Sequence, residues 1–142
     1  MYTARQVMQR NVVSLLPTAT VEQAIRLLRE LGFSGAPVVD RNGTLVGIIS
    51  EFALLEIVYD PSIRTAPVSR FMTRDVLTVN EDTALIDIAT LFVRHRIRRV
   101  PVVRDGRLVG VVSRPDLLSH VLEAGEELEE SLHGIRAGAS AT

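Results

Sequence analysis

Leu45-Val46-Gly47-Ile48-Ile49-Ser50-Glu51-Phe52-Ala53-Leu54-Leu55 and Leu108-Val109-Gly110-Val111-Val112-Ser113-Arg114-Pro115-Asp116-Leu117-Leu118 are two versions of one phrase, 63 positions apart. Each runs from a β-branched stretch through a serine into an apolar pair, a pattern that reads as a strand entering a serine-capped helix. Working backwards, Ala36-Pro37-Val38-Val39 recurs as Val100-Pro101-Val102-Val103 at a shift of 64. Val7-Met8-Gln9-Arg10-Asn11-Val12-Val13-Ser14 recurs as Phe71-Met72-Thr73-Arg74-Asp75-Val76-Leu77-Thr78 at the same shift. The residue lost between the two shifts falls in the turn, Asp40-Arg41-Asn42-Gly43 against Arg104-Asp105-Gly106, where length changes cost least. The chain is therefore an internal duplication.

Both halves predict the order β-α-β-β-α. A short strand (Val12 to Leu15; Leu77 to Val79) leads to an amphipathic helix. Its apolar positions, Val21, Ala24, Ile25 and Leu28, are echoed by Leu85, Ile88, Ala89 and Phe92. Thr18 and Asp82 stand where an N-cap is wanted. Pro-Val-Val followed by Asn42-Gly43 or Asp105-Gly106 and then Leu-Val-Gly is a strong hairpin signal. The second helices are expected at 51–58 and 114–122. Asp60-Pro61 breaks the first of them and turns the chain into the second copy. The expected fold class is α/β (α+β): two pseudo-symmetric motifs, 1–60 and 70–122, joined by a linker at 61–69 and followed by an acidic tail at 123–142. A motif of about 60 residues buries little alone, so the halves should pack sheet to sheet as one unit.

Composition narrows the function classes. The chain has 142 residues, a net charge of −1, 46% hydrophobic residues and 23% charged ones. These values exclude disorder and a strongly basic nucleic-acid binder. Six aromatics and no Trp leave little for base stacking. Without Cys there is no disulfide, thiolate nucleophile or zinc-thiolate site, and a cytoplasmic setting is the expectation. No stretch has the length of a membrane span or a signal-peptide core. The histidines at 95, 120 and 133 have no partner at metal-ligand spacing. Ser113, Asp116 and His120 hold the residue types of a hydrolase triad but lack a Gly-x-Ser-x-Gly elbow, so no enzyme is expected.

The repeated Met-x-x-x-Val, amphipathic helix, Pro-Val-Val, Leu-Val-Gly and Ser-x-x-Asp-Leu-Leu resemble a tandem pair of CBS (cystathionine-β-synthase) domains, the Bateman module, over residues 5 to 122. The resemblance implies a regulatory fold that binds AMP, ADP or ATP, with S-adenosylmethionine possible, in clefts between the motifs. It also implies a homodimer that signals to a separate regulated protein, because the length leaves no room for a catalytic domain.

In that family a cleft combines the Ser-x-x-Asp of one motif with walls from the other. The intact cleft would pair Ser113, Arg114 and Asp116 with Val12, Val13, Phe33, Ser34, Gly35 and Ala36. The degenerate one would pair Ser50 and Ala53 with Val76, Leu77, Ile97, Arg98, Arg99 and Val100. The chemistry suits these roles: unpaired N–H groups at a helix start attract phosphate, and a carboxylate one turn in accepts from ribose hydroxyls. The same residues also make a capping arrangement, with Ser113 as N-cap and Asp116 facing the helix dipole. In the first copy Ala53 replaces the carboxylate, and Glu51 would repel a phosphate. Arg98 and Arg99 suit phosphates or a solvated helix end equally. Two other readings stand beside the nucleotide sensor: a structural or protein-interaction module with no physiological nucleotide, and a binder of S-adenosylmethionine. The acidic tail either continues an apolar helix face through Leu128 and Leu132 to dock on a surface, or is a solvated helix that frays near Gly134.

Overall fold

The structure, a computed structural model, describes residues 2–135, with side chains through Ala124. Residues 136–142 of the tail lie outside the described residues. The elements run α1 (Ala4–Val7), α2 (Val21–Leu31), β1 (Gly35–Val39), β2 (Leu45–Ser50), α3 (Glu51–Leu54), α4 (Glu56–Tyr59), two 3-10 turns (Pro61–Thr65 and Val68–Arg70), α5 (Leu85–His95), β3 (Arg99–Arg104), β4 (Arg107–Ser113) and α6 (Arg114–Ile135). The result is an α+β architecture with two small antiparallel sheets, β1–β2 and β3–β4. Among the described residues no helix is long and apolar enough to cross a membrane.

The two hairpins are built alike. Val38 pairs with Gly47 and Val102 with Gly110, and in both sheets the register slips at the next residue. The Asp105-Gly106 turn takes positive φ at both positions (50° and 80°), as a type I′ turn requires. The longer first loop is held instead by the Asp40 carboxylate, which accepts from the N–H groups of Asn42 and Thr44. Each sheet receives one parallel bridge, Leu15 to Val38 and Val79 to Val102. The short strands expected at 12–15 and 77–79 are thus reduced to single bridging residues, because no neighbouring residue of either segment continues the ladder.

The helix starts also shift. Thr20, not Thr18, caps α2: its hydroxyl accepts from the Gln23 N–H while Gln23 reaches back to the Thr20 N–H. Ala84, not Asp82, precedes α5, because Asn80 and Thr83 close a local turn with Asp82 inside it. The helix expected over 51–58 is two short ones, interrupted at Leu55. The second copy's helix instead runs unbroken to Ile135.

Two apolar clusters make the core, and neither respects the order of the duplication. Ala4, Val7 and Met8 from the N-terminus pack with Val79, Ile88, Val100, Val102 and Val112 of the second half. Ile63, Ala66 and Val68 pack with Val21, Val38 and Ile49 of the first half. The segment expected as a linker at 61–69 is therefore a structured part of the first core. Gln9 exchanges backbone hydrogen bonds with Val111, and Thr73 with Ile48 (2.8–3.0 Å). Each half supplies the lead-in segment of the other.

The repeated methionines and glycines mark these crossings. A Cβ on Gly47 would stand 2.7 Å from Met72 Sδ and 2.8 Å from the Thr73 carbonyl; on Gly110 it would stand 2.7 Å from Met8 Sδ and 3.0 Å from the Gln9 carbonyl. A thioether can move aside, whereas both carbonyls are pinned, that of Thr73 by the Ile48 N–H and that of Gln9 by the Val111 N–H, and the Thr73 carbonyl is the nearer of the two to the added Cβ. Gly47→Ala is expected to cost about 1–3 kcal/mol, and more than Gly110→Ala, in urea unfolding.

Glu81, 5% exposed, clamps the N-terminal segment in place. Its carboxylate accepts from Arg104 Nε, Arg5 Nε stands 3.5 Å away, and its backbone carbonyl accepts from the Arg5 N–H. The hydrogen bond to Arg104, helped by the charges of Arg104 and Arg5 and opposed by burial, holds the carboxyl pKa below its ordinary value. A depressed folded-state pKa contributes stability that is complete above the unfolded-state value and fades as pH falls through the folded one. The melting temperature of the native chain should therefore drop in the acid range more steeply than that of Glu81→Gln, the two converging at the acid end.

Candidate functional site

β4 delivers Ser113 to the start of α6, and the first turn of that helix closes on itself. The Ser113 hydroxyl donates to Asp116 Oδ2 (2.7 Å), the Asp116 N–H donates to Ser113 Oγ (3.2 Å), and the Ser113 N–H donates to Asp116 Oδ2 (3.3 Å). The other carboxylate oxygen accepts from Gln9 Nε2 (3.1 Å). Gln9 is a residue sequence reasoning missed. Its only signal is indirect, since it follows Met8, whose partner glycine lies one residue from Val111.

Arg99 is the cross-strand partner of Ser113. Its guanidinium carbon lies over Phe33, 3.5 Å from the ring centroid, a cation–π contact between side chains of the two halves. Burial, with repulsion from Arg98, lowers the Arg99 pKa against the opposing pull of Asp116. Phe33, Arg99, Ser113 and Asp116 are thus brought together. Expected in the degenerate cleft, Arg99 instead stands with the residues of the intact one, because the strand's pleat turns it toward Phe33 and the Asp116 charge.

Arg114 turns back from this site, its Nε donating to the Ile97 carbonyl (2.7 Å) and its N–H to the Arg98 carbonyl (3.1 Å). The first half repeats the backbone part of the pattern, with the Glu51 N–H donating to the Ser34 carbonyl (2.9 Å) and Ser50 Oγ accepting from the Ala53 N–H (3.2 Å). Ala53 offers no carboxylate there. Arg98 lines a cavity of about 500 Å³ together with Phe33, Ser34 and Glu51.

Val12 and Val13 lie between Gln9, bound to the second half, and Leu15, bound to the first; Val76 and Leu77 lie between Thr73 and Val79 in the mirrored crossing. These four therefore sit on the two segments that pass between motifs. Gly35 pairs with Ser50, and a Cβ there would stand 3.1 Å from the Ile49 carbonyl. Ala36 and Val100 are buried in the two cores, so each can offer a ligand only its backbone. Ile97 is half-buried against the second core. His120 makes no hydrogen bond to Ser113 or Asp116. Its ring meets Tyr2 edge-on at 4.5 Å, and its Nε2 is buried without a hydrogen-bond partner among the described residues. No group of three metal-ligating side chains occurs among the described residues.

Comparison with known proteins places this geometry. The family model of the CBS domain matches residues 4–60 and 68–123. The crystal structure of CBSX2 from Arabidopsis thaliana in complex with AMP superposes with a TM-score of 0.79 at 32% identity, covering 88% of this chain and 99% of that one. The CBS domain pair of protein MJ0100, in complex with 5-methylthioadenosine and S-adenosyl-L-methionine, gives a TM-score of 0.72 at 25% identity, with 88% and 98% covered. The protein MJ1225 of Methanocaldococcus jannaschii is 32% identical over 114 residues, 80% of this chain. The chain spans 41% of the length of MJ1225, and 15% and 35% of two further curated relatives.

Proposed function

The chain belongs to the CBS-domain family, and from that premise we propose that it is a regulatory module whose ligand is an adenosine nucleotide (AMP, ADP or ATP) held between its two motifs. The observation that carries this reading is the stack of Arg99 on Phe33 beside Asp116, which joins a flat aromatic surface of one motif to a cation and a carboxylate of the other. Adenine would take the Phe33 face, the ribose hydroxyls would donate to Asp116, and Arg99, displaced from the ring, would meet the phosphate with Ser113 and the N–H groups of the α6 start. The known complexes of CBSX2 with AMP and of MJ0100 with S-adenosyl-L-methionine support an adenosyl ligand.

Such a ligand touches both motifs and so favours one packing of the pair over another, which a partner protein in the cytoplasm could read. The module itself would carry out no reaction. Phe52, Tyr59, Val93 and Leu118 are each more than 60% exposed on α3, α4, α5 and α6, which supports a homodimer through these helix faces. Thermal melting tests the reading: a nucleotide at 100 times its Kd stabilises by about 2.7 kcal/mol. The expected result is an upward shift with at least one of AMP, ADP and ATP; no shift with any of them or S-adenosylmethionine at millimolar concentration would overturn it.

One observation favours a second reading, a structural or interaction module without nucleotide. Both Asp116 oxygens are already bonded, to Ser113 and to Gln9, so a ribose has to displace Gln9 or share its oxygen. Under that reading the melt is insensitive to every adenosyl compound.

A further inference from the structure

The contact between Arg99 and Phe33 breaks the symmetry of the duplication. At the shift of 64 that relates the first strands of the two hairpins, Phe33 corresponds to Ile97 and Arg99 to Gly35. The strand registers give the same correspondence, since Arg99 pairs with Ser113 and Gly35 with Ser50. Asp116 corresponds to Ala53 at the shift of 63. Ring, cation and carboxylate are therefore present together in one cleft, while the mirrored positions hold Ile97, Gly35 and Ala53. A stack that served packing alone would have no reason to accompany the carboxylate.

That stack closes the surface on which an adenine would lie. Phe33 packs against the first core, which holds the ring in place, and the Arg99 guanidinium carbon stands 3.5 Å from its centroid. At that separation a guanidinium and an adenine exclude each other from the same face. Among the described residues Arg99 forms no ion pair, which leaves its donors for an anion. Directly opposed residues of an antiparallel pair point to one face of the sheet, about 4.5–5.5 Å apart at Cβ. Rotation about the side-chain bonds of Arg99 therefore carries its guanidinium from Phe33 toward Ser113 and the start of α6.

We infer that Arg99 is an internal competitor for the Phe33 face, and that it makes the intact cleft select phosphorylated adenosine over adenosine itself. Every adenosyl ligand has to lift the guanidinium off the ring, and its apparent affinity falls with the fraction of molecules in which the stack is closed. Only a ligand with a phosphate offers the lifted cation a new partner. This rests on the nucleotide reading above and adds which ligands that site turns away.

Calorimetric titration of the full-length native chain and of Arg99→Gln tests it, with adenosine set against whichever of AMP, ADP and ATP binds the native chain. A cation–π stack changes an equilibrium constant by about 2- to 30-fold, so Arg99→Gln is expected to bind adenosine tighter by about that factor. Its preference for the nucleotide over adenosine is expected to fall about tenfold or more, because only the nucleotide loses a charge-assisted hydrogen bond. Arg99→Lys separates the two effects and replaces Arg99→Gln if that variant folds poorly. It keeps the charge without the flat fork, so it should bind adenosine tighter than the native chain does and retain most of the preference. Adenosine binding no tighter in the variants shows that the guanidinium does not block the ring, and weaker binding places the adenine on the guanidinium itself. Either result, or an unchanged preference in Arg99→Gln, overturns the competitor and leaves the nucleotide reading standing. A native chain that binds none of the three nucleotides overturns both.

Discussion

Asp116→Ala is expected to weaken adenosine-nucleotide binding by about a hundredfold while lowering the melting temperature by only a few degrees. The two effects have different origins in the same carboxylate. Toward the ligand, Asp116 is the acceptor for two ribose hydroxyls. Charge-assisted hydrogen bonds contribute about 1.5–3 kcal/mol each, so losing the pair removes about 3 kcal/mol or more, about two decades in Kd. Toward the fold, Asp116 is the return half of a capping arrangement with Ser113 and an acceptor for Gln9. A lost cap costs about 1 kcal/mol, worth about 3–4 °C in a domain of this size. Titration calorimetry gives the first number and the melt gives the second. Asp116→Asn separates them further, because the amide keeps an oxygen for the Ser113 N–H but loses the charge; it should melt near the native temperature and still bind poorly. If Asp116→Ala lowers the melt while AMP, ADP or ATP binds with native affinity, the residue is a cap and the ribose contact is wrong.

The parts of this fold that were legible in advance are those decided by neighbours in the chain. Both hairpins follow from Pro-Val-Val, a Gly-containing turn and Leu-Val-Gly, because turn chemistry and alternation act over a few residues. The buried faces of α2 and α5 follow from helical spacing, and Ser50 and Ser113 from their position between a strand and a helix. The exchange of lead-in segments was not legible. Met8 and Met72 are equivalent in the repeat, as are Gly47 and Gly110, so a pairing within each half and the observed pairing across halves satisfy the same pattern. Only the three-dimensional closure chooses Met8 with Gly110 and Met72 with Gly47. The same ambiguity misplaced Arg99. Sequence assigns it to a motif, but the pleat decides which side of the strand carries it, and that side faces Phe33. Gln9 carries only the indirect signal of following Met8; its contact with Asp116 spans 107 positions and exists because the N-terminal segment lies on β4.

That exchange carries the other large expected effect. Ile49→Ala and Ile88→Ala empty the centres of the two cores, each side chain being fully buried. Truncation of a buried isoleucine costs about 2–5 kcal/mol, which in a chain of this size lowers the melting temperature by about 6–20 °C. Were the halves independent, each variant would move one of two transitions and leave the other in place. Here Ile88 packs in a cluster that includes Ala4, Val7 and Met8, and Ile49 in one that includes Ile63, Ala66 and Val68. Opening the second core therefore frees the N-terminal segment, whose next residues cross to the Leu15–Val38 bridge of the first; opening the first frees the segment that leads through Thr73 to Val79. Neither cluster can come apart without pulling on the other's entry strand. Both variants are expected to melt in one transition, at a similarly reduced temperature, with calorimetric and van't Hoff enthalpies equal. Two resolved transitions in either variant, one of them at the native temperature, would show that the crossings contribute little and that each motif holds itself together.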